Sequence, residues 1–146
     1  MNSKEIQKIS LRGIAFMLIT LWIYVAVAKL INITAFKHAL KKQPFPNGWA
    51  EQLAWLLPTF ELFIALLLIF PKSLRYGLIA SSTLLFIFTV YIVLILTGSF
   101  ANSVPCACGG LITQFNWSQH LFFNTIILLM NLYGLYYHWQ QRGGIN

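Results

Sequence analysis

The sequence predicts an all-α integral membrane protein, a bundle of four spanning helices. Three observations carry this. Hydrophobic residues make up 58% of the 146 positions and charged residues only 9%, where soluble domains average about a quarter charged. Mean hydropathy is +0.71. Four apolar stretches each approach the ~20 residues needed to cross a bilayer. They are continuous rather than alternating, the pattern of helices and not of a closed barrel. One membrane domain over residues 1–146 follows, with no room for a second.

The lead-in, Met1 to Arg12, sets Ile6, Ile9 and Leu11 between polar residues. It reads as a short amphipathic helix lying on the membrane surface. The first span runs from about Gly13 to Phe36. It is too long for a signal-peptide core, and no small-residue cleavage site follows, so it is expected to be retained. The connection Lys37 to Gly48 contains Pro44, Pro46, Asn47 and Gly48, a turn-rich exterior loop. The second span covers about Trp49 to Phe70 and the third about Tyr76 to Phe100. Between them Phe70-Pro71-Lys72-Ser73-Leu74-Arg75 is a tight turn that makes its neighbours antiparallel. Residues Ala101 to Trp117 form a long uncharged loop, and the fourth span runs from about Ser118 to Trp139. Trp49, Trp117, Tyr136, Tyr137 and Trp139 fall near span ends, as interfacial aromatics do.

Charge sets the orientation. Lys4, Lys8, Arg12, Lys72, Arg75 and Arg142 lie on one side of this arrangement, and Lys37, Lys41 and Lys42 on the other. The excess places both termini in the cytoplasm. The expected location is a bacterial inner membrane, with the loop over residues 101–117 facing the periplasm. Disulfides persist there. The formal net charge of +7 is mostly lysine and arginine flanking the spans. It offers no compact basic face, so no nucleic-acid partner is expected, and the surrounding partner is lipid.

That loop holds both cysteines, in Pro105-Cys106-Ala107-Cys108-Gly109-Gly110. A disulfide between near neighbours closes a small, strained ring and is readily reduced. It closes almost no chain, so it is a poor structural staple. Redox chemistry stands beside two bland alternatives: unpaired loop thiols, or half of a metal site. His120 opens the fourth span on the same side, three residues after Trp117 and so on its helix face. An imidazole there can take a thiol proton or stabilise the thiolate that does the exchange. Asn124, one turn further on, is placed to fix its tautomer; the alternative is an interfacial His and a helix-packing Asn. Cys106, Cys108 and His120 lack a fourth ligand and the usual zinc spacing, so no metal is expected.

Two ionisable residues lie within spans. Glu61 sits near the middle of the second, three residues after Pro58, which removes a backbone donor. Lys29 sits in the outer half of the first, about 10 Å away in depth at ~1.5 Å rise per residue. Their contact needs the lysine stem to reach down, and Tyr24 lies closer to the depth of Glu61. A neutral, protonated Glu61 serves as well, since burial disfavours the charged form. Three roles are open: a polar pin between helices, proton or ligand handling, and snorkelling to the surface.

These residues together resemble the MauE/DoxX group of redox-associated membrane proteins. The likeness rests on Tyr24-x4-Lys29-Leu30, Trp55-x2-Pro58-x2-Glu61 and Phe88-Thr89-x-Tyr91-Ile92. It continues through Pro105-Cys106-x-Cys108-Gly109-Gly110, Trp117-x2-His120 and Asn124. The resemblance implies a DoxX-like four-helix bundle. It also implies work beside a thioredoxin-like partner in maturing a disulfide-rich periplasmic client, as in methylamine utilisation. The architecture is similar to that of DsbB and vitamin K epoxide reductase, which pass electrons between cysteines and quinone. This chain has one cysteine pair and not two, spaced C-x-C rather than C-x-x-C, which points away from autonomous quinone-coupled oxidation.

The resulting expectation is a membrane protein that handles thiols or disulfides on the outer face. Cys106 and Cys108 would exchange with the partner or client, Gly109 and Gly110 giving the backbone freedom to do so. His120 would tune thiolate character. Lys29, Glu61 and Tyr91 would line an internal polar site for a quinone head group or a proton. A non-catalytic membrane scaffold or assembly subunit is the competing class.

Overall fold

A computed structural model describes residues 2–44, 46, 48–99 and 116–143. The described residues fold into five helices: α1 (Ser3–Ile31), α2 (Ile33–Lys41), α3 (Trp49–Ile69), α4 (Leu74–Leu96) and α5 (Trp117–Gly143). No strand occurs among them. The four long helices form a ring in which α1 and α4 each pack against both α3 and α5. The short α2 lies against α3. The expected all-helical class is met, with five helices among the described residues where four were expected.

The polarity of these helices is inverted relative to a soluble domain. Large apolar side chains point outward: Phe16, Phe63, Phe86 and Phe122 are all exposed, the last at 71%. Polar ones point inward, and Lys29, Glu61, Ser81, His120, Asn124 and Asn131 are all buried. Only lipid makes such a surface favourable. In lipid, burying another leucine gains little, so close packing and internal hydrogen bonds hold the helices together. Among the described residues three helices are long and apolar enough to cross a membrane: Glu5–Ile31, Trp49–Ile69 and Leu74–Leu96. With 27 residues, α5 is longer than a span, but its inward polar residues lower its hydropathy and it falls outside that set.

Two boundaries differ from the expectation. The lead-in is not a separate surface helix, because α1 runs unbroken from Ser3, where the Glu5 carboxylate accepts the Asn2 N–H at 3.4 Å. The first span does not continue to Phe36. Asn32 leaves helical geometry (φ −110, ψ 41), and its N–H closes α1 on the Ala28 carbonyl at 3.3 Å. Asparagine competes with the backbone for hydrogen bonds and so ends helices readily. The chain then forms α2 where a loop was expected. Phe36 and Leu40 of α2 pack on Ala50 and Ala54 of α3, whose small side chains admit the close approach.

The turn between α3 and α4 is as tight as expected. The Ser73 hydroxyl donates to the Leu67 carbonyl at 2.8 Å, answering one of the open carbonyls at the end of α3. Gly77 then lets the two helices meet: a Cβ there would lie 2.9 Å from the Leu68 backbone nitrogen.

Candidate functional site

Each helix delivers its polar residue through the spacing of its inward stripe. On α1 the buried positions are Leu11, Ile14, Ala15, Leu18, Trp22, Val25, Ala26 and Lys29. On α3 they are Ala50, Ala54, Pro58, Glu61, Ile64, Ala65 and Leu68. Both are three- and four-residue spacings, which keep one face turned inward. Lys29 and Glu61 are thus members of the packing stripes, not intruders on them. Glu61 is 0% exposed. Of the arrangements open to it, the structure has the ion pair: the Lys29 ammonium donates to Glu61 Oε1. The lysine stem closes the difference in depth. The ammonium also sits 5.7 Å from the ring centre of Phe36 and 5.9 Å from that of Phe88, positions that favour a cation. Tyr24 lies on the exposed outer face of α1.

Tyr91 comes from α4, but its hydroxyl donates to Gln43 Oε1 and not to the ion pair. Gln43 follows α2, and its amide donates back to the Ala39 carbonyl at 3.2 Å. The bond therefore ties the end of α2 to α4. Gln43 was hidden from sequence reading because it fell in a stretch taken for a loop. Its signal was the helical spacing Phe36, Leu40, Gln43, all three buried.

The start of α5 places His120. Asn116 Oδ1 accepts the Gln119 N–H at 2.9 Å and Gln119 Oε1 accepts the Asn116 N–H at 3.1 Å, a reciprocal capping box. His120 follows in the first turn, its own N–H on the Asn116 carbonyl. Asn124 does not orient it. The Asn124 amide donates instead to the Leu85 carbonyl at 3.0 Å and to Thr89 Oγ1 at 2.7 Å, both on α4. His120 Nδ1 is buried with no hydrogen-bond partner among the described residues. Asn124 is a helix-packing residue, as the plainer of the two expectations held.

Lys29, Glu61, Tyr91 and His120 all line one cavity of about 400 Å³. Trp22, Leu57, Phe88 and Phe123 supply much of its apolar wall. The structure thus gathers four of the six candidate residues around a single space. The other two, Cys106 and Cys108, lie outside the described residues. Among the described residues no group of three His, Cys, Asp or Glu is arranged to hold a metal ion.

A second polar layer was not anticipated. Ser81 Oγ accepts from Trp22 Nε1 at 2.9 Å and from the Asn131 amide at 2.7 Å. This joins α1, α4 and α5 below the cavity wall. The readable signal was on α5, where His120, Asn124, Ile127, Asn131 and Gly134 recur at heptad spacing and are all buried.

Comparison with known proteins gives one finding. The family model described as Methylamine utilisation protein MauE matches residues 7–137, a stretch containing all six candidate residues. No curated protein and no solved structure matches the chain.

Proposed function

The chain belongs to the MauE family of methylamine utilisation proteins, and on that premise we propose that it is a membrane accessory protein whose Cys106 and Cys108 exchange disulfides with a thioredoxin-like partner or a client. The observation that supports this is the position of His120. It stands in the first turn of α5, twelve residues after Cys108 in the chain, and its side chain is held at the cavity by the cap at Asn116. A partner thiolate attacks one sulfur of the Cys106–Cys108 disulfide, forming a mixed disulfide and releasing the other cysteine as a thiolate. The imidazole of His120 takes the proton lost by the partner's attacking thiol and passes it to the thiolate released. The partner's second thiol then resolves the mixed disulfide. Two electrons pass from partner to pair, and the reverse sequence returns them. The inner membrane, with the cysteines on the periplasmic side, is the compartment in which such a pair works.

A scaffold role has one observation in its favour. Asn124, the Lys29–Glu61 pair and the Ser81 layer are engaged in joining helices. Trapping separates the two. Of Cys106→Ser and Cys108→Ser, one is expected to accumulate a covalent adduct with a partner, seen on a non-reducing gel and lost on reduction. Cys106 is assigned as the sulfur that attacks a partner disulfide, because it lies away from Gly109 and Gly110. No adduct from either variant, with full function of the double serine variant, is the scaffold's result.

A further inference from the structure

The cavity is built for more than its helices require. At about 400 Å³ it is within the range of small-molecule sites. Its walls are apolar and rich in aromatic rings, among them Trp22, Phe36, Phe88 and Phe123. Two buried polar atoms of its lining residues have no hydrogen-bond partner among the described residues: Glu61 Oε2 and His120 Nδ1. Glu61 is 0% and His120 8% exposed. Lys29 engages the other carboxyl oxygen, Oε1. Buried polar atoms are paired in native proteins as a rule, and each exception asks for a cause.

We propose that this cavity binds a lipid-soluble hydroxyarene: a neutral aromatic ring bearing a hydroxyl group and an alkyl tail. Oε2 accepts a hydrogen bond when the carboxyl is ionised and donates one if it carries the proton. Nδ1 likewise accepts or donates according to the tautomer. A hydroxyl answers both atoms in every state in which at least one of them carries a proton, because it donates once and accepts twice. A charged head fits less well. Lys29 and Glu61 balance each other, so an anion or a cation would arrive in an apolar space without a counter-charge. The ring finds edge and face partners among the wall aromatics, and the tail finds Leu53 and Leu57. The inference needs only the cavity. It does not depend on the thiol chemistry of Cys106 and Cys108, and its test leaves both cysteines untouched.

The test uses the full chain in lipid nanodiscs and equilibrium binding of tritiated 4-nonylphenol, with nonylbenzene and decanoic acid as comparators. Saturable binding of 4-nonylphenol is expected, about tenfold or more tighter than nonylbenzene, the factor that one hydrogen bond to a charged group supplies. His120→Phe removes one of the two unpartnered polar atoms and should narrow that ratio. Leu57→Trp fills the cavity from its wall and should abolish saturable binding with the thermal melt retained. Leu53→Phe makes the same test where the larger ring prevents folding. Equal affinity for 4-nonylphenol and nonylbenzene overturns the proposal. So does tighter binding of decanoic acid, or 4-nonylphenol binding that survives both cavity-filling variants.

Discussion

Lys29→Met should remove most of the folded protein from detergent extracts, and Lys29→Met combined with Glu61→Met should restore it. The single change leaves the Glu61 carboxyl at 0% exposure with neither oxygen engaged by a described side chain. Breaking one half of a buried ion pair costs about 3–5 kcal/mol, whereas replacing both halves with apolar groups of similar volume is often neutral or stabilising. Methionine has close to the length of lysine and fills irregular gaps, so the packing stripe of α1 survives. The measurement is the monodisperse fraction on size exclusion, with a thermal melt of each variant. The comparison also separates the roles open to the pair. A polar pin is dispensable once both partners are apolar. A ligand site is not: the double variant would fold and yet lose binding of a hydroxylated ligand. A Lys29→Met variant that melted like the native chain would remove the ion pair from the account of the fold.

Gly77→Ala should be the most damaging single methyl group that can be added to the α3–α4 turn. Its Cβ would stand 2.9 Å from both the backbone nitrogen and the Cδ2 of Leu68, and 3.0 Å from the carbonyl carbon of Leu67. The leucine tip can rotate aside, but the helix backbone of α3 cannot. The same turn carries the Ser73–Leu67 hydrogen bond, which the displacement of α3 would strain. Overpacking of this kind costs about 1–3 kcal/mol. Gly13→Ala is the control. Nothing lies within 4 Å of a Cβ at that helical position, so the change should stabilise α1 by up to roughly 1 kcal/mol. Thermal melts of the two variants should move in opposite directions. A Gly77→Ala variant that melted like the native chain would remove the close approach at Gly77 from the account.

The helical class was readable because lipid imposes it: a long apolar run has few other ways to satisfy its backbone in a bilayer. The inward positions of Lys29 and Glu61 were readable for a related reason, since an ionisable residue within a span faces inward or pairs. What escaped was set by partners distant in sequence. Nothing local shows that Asn124 would turn to Leu85 and Thr89 on α4 and not toward His120. Tyr91 lines the same cavity as Lys29 and Glu61, but its bond to Gln43 required α2 to exist as a helix. That helix escaped because the apolar run crosses Asn32 without a break in hydropathy, while the backbone does break there. The fourth span was the converse case. Its polar residues were noticed singly, and their common inward face on α5 emerged only from the packing. The family match names MauE alone, so the likeness to DoxX rests on the motifs.

Labelling of intact cells tests the central claim, that Cys106 and Cys108 form an exchangeable pair on the outer face. Cells carrying the native chain are treated with a membrane-impermeant maleimide, with and without mild prior reduction, and the mass of the purified chain is read. Cysteine occurs only twice in the sequence, so the label count is unambiguous. The account predicts little label before reduction and two labels per chain after it. Full labelling without reduction, or none until the cytoplasmic side is opened, would contradict it.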